Sequence, residues 1–411
     1  MKKIILITSS FPYGNGEQFL ETEVDYYCDN DFFCFTILPT LTGKTIRKIP
    51  KDIKVTTDIL SPKKWGRIKY YYLLKSLFVK EFYNEFFIEK FTNPKKIKIF
   101  LSPLSLYLFY KNALDKYIKN ESDITNVIFY TYWNNEITYA LQTLKEKYHF
   151  QLVSRIHGGD LYKEVRKFEY IPLKKQFTKN INKIYTITES ANKYLESTYN
   201  YHKKSLEVSR LGVKENHIKT NPSPADNTLH IVSCSFLNSI KRIDKIIDSL
   251  ETLTTKKPLF KIKWTHIGAG NLFDQLSDQA KHILNNKPNI EYNFIGNLGN
   301  KEVLNFYKTN NIDVFINVSE SEGVPVSIME ALSCHIPIIA PNIGGISDLV
   351  INKYNGILLS EKGTLNEIID SFNDISFFKD KTTRENAYQI FLEKYNAESN
   401  YSNFLSSLQK L

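Results

Sequence analysis

Two carboxylates, Glu322 and Glu330, stand with seven residues between them in SESEGVPVSIMEALSCHIPIIAPNIGGISDLV, residues 319–350. The preceding run IDVFINVS reads as a buried strand, SESEG as a turn, and VPVSIMEALS as a helix. Pro325 falls early in that helix, where a missing N–H costs nothing. Gly323 keeps the backbone bare where another group must approach. The first N–H groups of such a helix are unpaired and carry a partial positive charge, an anion site worth about 0.3–1 kcal/mol and suited to phosphate. Glu330 lies five residues beyond Pro325, roughly 8 Å further along at about 1.5 Å per residue. The stretch is therefore a ruler with three stations: a hydroxyl-bearing group at Glu322, a diphosphate over Gly323, Val324, Pro325 and Val326, and a ribose at Glu330. A nucleotide-sugar carries its parts in that order. Two acids at a helix start also fit a solvated end favoured by the helix dipole. The flanking Gly323, Pro325 and Gly344-Gly345 favour the chemistry.

Elements that could hold such a ruler run through the whole chain. Short β-rich apolar runs (KIILITSS, FFCFTILP, NVIFYTYW, FQLVSRIHG, KIYTITES, then LHIVSCSF, FKIKWTHIGAG, NIEYNFIGN, IDVFINVS, IPIIAPN) alternate with helix-length stretches. That pattern predicts βαβ units and an α/β fold of parallel sheets, whose strand-to-helix ends bind ligands. At 411 residues the chain is too long for one core and fits two domains of roughly 200 residues. The polar stretch 214–228, with Pro222 and Pro224, is the expected linker. The expected boundaries are 1–213 for the first domain and 214–386 for the second, with a helix over about 387–411 returning to the first.

Apolar residues make up 42% of the chain and aromatics 14%, enough to exclude disorder. Four scattered cysteines show neither a C-x-x-C pair nor metal-ligand spacing, which predicts a reducing compartment. After MKK the run IILI is too short for a secretory core and leads into a Gly-rich loop, so a buried first strand is expected. The nearest thing to a membrane span, IFLSPLSLYLFY, is short and interrupted by Pro103. The expected place is the cytoplasm. The net charge is +10, and much of it lies in residues 61–100, where lysines and arginines interleave with Tyr, Phe and Leu. That segment reads as amphipathic helices whose aromatics face a core, or as a peripheral surface for an anionic membrane. No RNP-type, zinc-finger or helix-turn-helix pattern accompanies the charge, so nucleic acid is not an expected partner. No G-x-G-x-x-G follows the first strand, which argues against a dehydrogenase.

The block 319–350 resembles the E-x7-E signature of retaining glycosyltransferases of family 4: acid, Gly, x, Pro, then E-A, P-x-I-A, and G-G before a second acid. RIHGGDL at 155–161 is similar to that family's His-Gly-x-Asp segment, and FPYGNGEQFLETEV to its glycine-bearing first loop. HIGAG at 266–270 and NFIGNL at 293–298 resemble the strand ends of its nucleotide pocket. There are departures. Phe236 stands where the family has an arginine, although Lys241 survives and Arg242 beside it is a candidate substitute. His335 replaces a usual glycine and Asp348 a usual glutamate.

The resemblance implies the GT-B fold, two Rossmann-like doubly wound domains facing each other across a cleft, and a donor held by the second. It further implies Lys241 and the helix start on the leaving diphosphate, Glu322 on donor-sugar hydroxyls and His157 near the sugar. Glu330, Arg242, Asn297 and Leu298 would contact the nucleotide, while Gly14, Asn15 and Gly16 let the first loop approach. No divalent metal or other cofactor is implied, and the anomeric configuration would be retained. The expected acceptor is a glycan, a lipid-linked sugar or a protein. An epimerase or phosphorylase on the same fold, and a silent nucleotide-sugar binder, stay open. Asp29-x-Asp31 imitates the metal motif of the other glycosyltransferase architecture but sits in the wrong context, between the first helix and the second strand.

Overall fold

The structure is a computed structural model and describes residues 2–14, 16–27, 32–91, 93–224 and 227–411. Asn15 and the Asp29/Asp31 pair lie outside the described residues. The chain forms two compact units, Met1–Leu211 with Glu398–Leu411, and Gly212–Ala397.

The first unit is built on seven parallel strands: β1 (Lys2–Thr8), β2 (Phe33–Pro39), β3 (Lys54–Val55), β4 (Val127–Thr131), β5 (Gln151–Arg155), β6 (Lys183–Thr186) and β7 (Leu206–Val208). Their order is β3-β2-β1-β4-β5-β6-β7. Its helices are α1 (Phe19–Asp25), α2 (Pro62–Ser76), α3 (Lys80–Glu89), α4 (Pro94–Ile118), α5 (Glu136–Tyr148), α6 (Gly158–Leu161) and α7 (Glu189–Tyr199). The central strands are apolar on both faces because each face is covered. Ile5 and Ile7 pack with residues of α4 and α5; Ile4 and Leu6 pack with α1 and with the last helix. Proline does not break α4, which runs through Pro103 for 25 residues; the expected interruption does not occur, since one lost N–H leaves the remaining ladder intact. Among the described residues no helix is long and apolar enough to cross a membrane.

The second unit carries β8 (Thr228–Cys234), β9 (Lys261–Ile267), β10 (Ile290–Phe294), β11 (Val314–Ile316), β12 (Ile338–Pro341) and β13 (Gly356–Leu359), all parallel, in the order β10-β9-β8-β11-β12-β13. Its helices are α8 (Ile243–Lys256), α9 (Phe273–Leu284), α10 (Asn300–Thr309), α11 (Val326–Ser333), α12 (Ile346–Leu349), α13 (Leu365–Asp370), α14 (Ser376–Lys379) and α15 (Lys381–Lys394). Helix α16 (Ala397–Gln409) belongs to the first unit from Glu398 onward; there Phe404 packs on Tyr130 and Tyr185, with ring centroids 5.2 and 4.8 Å apart. The return to the first unit thus begins later than the expected residue 387, because α15 packs within the second unit.

The expected linker is not free chain. Changeover occurs at Leu211/Gly212, and the proline-bearing stretch that follows is tied down. Ser223 N–H donates to Asp313 Oδ1 at 2.8 Å, Thr220 N–H donates to the Cys334 carbonyl at 3.1 Å, and buried Arg384 donates to the Thr220 carbonyl at 2.6 Å. The sequence is polar there because its backbone is held by side chains instead of by a sheet.

In both sheets the strand order reverses beside the first strand, between β1 and β4 and between β8 and β11. Loops leaving those neighbours open at the end where doubly wound sheets bind ligands. In the first unit this end rests on a buried charge network. Arg155, at the end of β5, and Glu23, on α1, are fully buried and 3.3 Å apart. Tyr27 and Tyr130 donate to Glu23 Oε1 at 2.7 and 3.0 Å; Arg155 donates to Tyr130 Oη and to the Ser209 carbonyl, both at 2.8 Å. Burial raises the pKa of both phenols, which stay protonated and donate. Removing one partner of a buried pair strands the other's charge. Glu23→Gln is expected to cost about 3 kcal/mol or more, read as a fall in Tm of about 6 °C or more. A thermal midpoint within about 1 °C of wild type would show that the pair does not hold this face together.

Candidate functional site

In the second unit the loop after β8 reaches Lys241 through a short turn, Ser239–Lys241, capped by Asn238, whose Oδ1 accepts the N–H groups of Ile240 and Lys241 at 3.1 and 3.2 Å. The loop after β11 carries Glu322. The two meet: Lys241 Nζ is 2.6 Å from Glu322 Oε1, and Asn317 Nδ2, from the end of β11, donates to the same oxygen at 3.1 Å. A void of about 10 Å³ lies beneath, lined by Cys234, Ser235, Lys241, Asn317 and Ser319 among others, room for about one water.

Glycines let the neighbouring loops close on this pair. A Cβ on Gly344, whose φ is +53°, would lie 2.0 Å from the Glu322 carbonyl oxygen. Gly345 N–H donates to the Gly323 carbonyl at 2.7 Å. The Gly-Gly pair therefore braces the acid-bearing turn, a role in packing. Likewise a Cβ on Gly268 would sit 1.9 Å from Ser235 O, and one on Gly270 2.3 Å from Leu237 O, so HIGAG supports the Lys241 loop.

Helix α11 starts at Val326, with Pro325 extended at its N-cap (φ −71°, ψ 120°), two residues later than the expected start at Val324. No acceptor among the described residues takes the N–H groups of Gly323, Val324, Val326 or Ser327. These N–H groups follow directly after Glu322 and are free to donate. Further along α11, half-buried Glu330 accepts a hydrogen bond from Asn300 Nδ2. Burial pushes its carboxyl up to about 7, and the Asn300 bond opposes that only in part. Asn297 is exposed and Leu298 half-buried in the loop leading into α10, the helix that opens with Asn300.

Arg242 points elsewhere. It sits at φ +50° and pairs with Asp244, at 2.8 Å, and with Glu320. Phe236, at the arginine position of the resemblance, is 55% exposed. His335 occupies φ +61°, a conformation that favours glycine, and stacks on Tyr388 at 4.2 Å.

In the first unit His157 N-caps α6, and its ring lies against Phe19, Tyr132 and Trp133 with centroids 5.4, 4.9 and 4.7 Å away. It is buried, and burial together with the charge of Arg155 lowers its pKa to about 3, so the imidazole is neutral. Its Nε2 is buried without a hydrogen-bond partner in the protein. Asp160 fixes the loop: Oδ1 accepts His157 N–H at 2.7 Å and Oδ2 accepts Asn134 N–H at 2.6 Å. Fully buried Lys174 donates to Asn134 Oδ1 at 2.7 Å and to the Asp160 carbonyl at 2.8 Å.

Gly16 is exposed, its carbonyl bound by Arg47. The anchor of that first loop is the next residue. Glu17 is buried, accepts N–H groups from Ser9, Ser10 and Phe11 at 2.8–2.9 Å, and takes the Trp133 indole N–H at 2.6 Å. Sequence reasoning missed Glu17, Lys174, Asn300 and Asn317. Glu17 could have been found as the acid directly following the glycine loop, and Asn317 as a polar residue ending a buried strand. Lys174 and Asn300 carry no local signal.

Residues 213–390 match the family model described as glycosyl transferases group 1. Among curated proteins, an uncharacterized glycosyltransferase of Methanocaldococcus jannaschii is 29% identical over 160 residues, 38% of this chain and 41% of that one. The O-antigen biosynthesis glycosyltransferase WbnH of Escherichia coli is 28% identical over 149 residues, 36% of this chain and 39% of that one. The matches therefore span about two fifths of these relatives' length. Among solved structures, the lipopolysaccharide outer core galactosyltransferase WaaB in its apo form is similar over 100% of both chains, with a TM-score of 0.72 at 15% identity. HepE of Anabaena in complex with UDP is similar over 100% of both chains, with a TM-score of 0.65 at 16% identity. These likenesses show the fold: the chain has the GT-B architecture of two Rossmann-like parallel-sheet units.

The glycine geometry separates two substitutions. Gly296, at φ +76°, has open space around its would-be Cβ, so Gly296→Ala is expected to cost only backbone strain, about 1 kcal/mol. Gly344→Ala adds a backbone collision that displaces Glu322. It is expected to lower Tm clearly more than Gly296→Ala, as measured by thermal unfolding. Equal behaviour of the two variants would contradict the bracing role.

Proposed function

We propose that this chain is a retaining, metal-independent glycosyltransferase. It moves a hexose-type sugar from a UDP-sugar to a glycan, lipid-linked or protein-linked acceptor in surface polysaccharide or glycoconjugate synthesis, with residues 61–100 making a peripheral contact to an anionic membrane. The observation that carries it is the Lys241–Glu322 pair set directly against the open N–H cradle of residues 323–327, with Glu330 on the same helix. The group 1 match over residues 213–390 and the UDP-bound structure of a protein of this fold support the reading.

In this reading the cradle and Lys241 hold the diphosphate and stabilise its charge as the glycosidic bond breaks, a role that elsewhere falls to a metal. Glu322, pinned by Lys241 and Asn317, accepts hydrogen bonds from donor-sugar hydroxyls. Glu330 accepts the ribose hydroxyls once Asn300 gives way. Neutral His157 offers Nε2 to a substrate hydroxyl. Arg242 turns to Asp244 and Glu320, whereas Lys241 lies against Glu322 beside the helix start, so of these two neighbours Lys241 is assigned to the diphosphate. The exposed Phe236 favours a second reading, a silent nucleotide-sugar binder. The two are separated by NDP release from a panel of UDP-, GDP- and ADP-sugars: release that depends on an added acceptor indicates transfer, and binding without release indicates the silent module.

Glu330 supplies a pH test. Burial holds its carboxyl up at about 7, and two donating hydroxyls favour the ionised form. UDP binding is therefore expected to release protons near neutral pH and to tighten as pH rises through that range. Calorimetry in buffers of different ionisation enthalpy should show that release and its loss in Glu330→Gln; a buffer-independent enthalpy in wild type would remove the ribose role. Glu330→Ala should weaken UDP binding by roughly ten- to a hundredfold.

For Glu322→Ala, turnover is expected to fall more than UDP affinity, because the sugar contact strengthens at the transition state while the nucleotide contacts remain. Equal losses in kcat and in affinity would assign Glu322 to ground-state binding.

A further inference from the structure

Helices α2 and α3 are apolar on both sides, which is unusual for helices at a protein surface. Their inner faces are accounted for. Trp65 donates to Ser105 Oγ at 3.2 Å, Tyr72 packs edge-on against Phe109, and Phe82 stacks on Phe100. Yet Tyr70, Tyr71, Leu74, Phe78, Tyr83 and Phe87 on the outer side are 53–81% exposed, with Phe78 and Phe87 both at 81%. Nine of the twenty large exposed apolar residues among the described ones lie between Ile68 and Ile88. Apolar area of that density marks an interaction surface.

Charge says what covers it. Residues 63–90 contain seven lysines and arginines and three acids. None of the acids is exposed. Glu81 is buried and accepts from Tyr107 Oη at 3.0 Å; Glu85 is buried and accepts from Tyr170 Oη at 2.5 Å and Leu173 N–H at 2.9 Å. Glu89 is half-buried and pairs with Lys175 at 2.8 Å. Lys63, Lys64, Arg67, Lys75, Lys80 and Lys90 are exposed. The acids of the two helices are turned into the unit and the bases outward, so residues 63–90 present a cationic and aromatic outer face with no exposed carboxylate of their own. A protein partner or a second copy of this chain would meet uniform positive charge interspersed with rings. An anionic bilayer satisfies both at once, the rings entering the headgroup boundary and the bases neutralising lipid phosphates.

We propose that the α2–α3 corner is the element that docks this chain on a bilayer and that its ligand is anionic phospholipid. This deepens the membrane contact included in the functional reading and is independent of the transfer reaction.

Flotation of the full chain with phosphatidylcholine vesicles, with and without about one quarter phosphatidylglycerol, tests it. The chain is expected to partition onto the anionic vesicles, weakly onto neutral ones, and about tenfold less in 0.5 M than in 0.1 M salt, where screening is stronger. Phe78→Ser with Phe87→Ser should weaken partition at least about tenfold. Lys75→Glu with Lys80→Glu should do the same. Both pairs should leave Tm and the UDP-induced thermal shift unchanged, since all four residues are exposed. Absent partition, equal partition onto neutral vesicles, or insensitivity to either pair overturns the proposal. So does self-association, or retention of an RNA oligonucleotide, that these substitutions abolish while vesicle binding is lacking. Loss of sugar transfer with vesicle binding intact would sink the enzymatic reading alone.

Discussion

A parallel strand laid beside a distant one is the constraint on which this molecule depends. Pairing Val314 with Ile231 and Phe315 with Val232 sets β11 next to β8, so the loops that follow leave the sheet as neighbours. Lys241 and Glu322, 81 residues apart in the chain, then meet at 2.6 Å. No local preference could bring them together. The same arrangement recurs in the first unit, where β1 beside β4 lets Glu17 reach the Trp133 indole.

Once the loops are neighbours, charge decides how they set. Glu17 fills the N–H groups of Ser9, Ser10 and Phe11, and Asp160 fills those of His157 and Asn134. Asp313 takes Ser223 and His230. Buried carboxylates here hold backbone more than they hold cations, which fixes loops that no sheet could reach. The turn at 323–327 is the contrast. Its N–H groups are left open while its own acid, Glu322, is drawn off by Lys241 and Asn317.

Glycine serves this scheme through close approach. Gly268, Gly270 and Gly344 each sit where a Cβ would collide with the backbone of a loop bearing a site residue. A glycine pair that reads in sequence as room for a ligand is here room for another piece of chain. His335 shows the converse, a non-glycine held at φ +61° by stacking on Tyr388.

Local chemistry by itself determined a good deal: the alternation of apolar runs and helices, the parallel α/β class, the strand–turn–helix corner at 314–333, and the acids on it. These follow from side-chain periodicity and from the first turn of a helix, which neighbours in the chain control. Edge strands β3, β7 and β13 escaped notice because, unlike the equally short β6, β11 and β12, they do not lie in an extended β-rich run. The stretch after Gly212 looked like a linker because side-chain anchoring of backbone leaves no pattern. Only the tertiary structure decided that Arg242 is tied to Asp244 and Glu320, that Glu17 and Lys174 hold the loops around His157, that Asn300 meets Glu330, and that the acids of α3 turn inward. Each depends on partners far along the chain, and a side chain's direction is set by the packed neighbours it finds there.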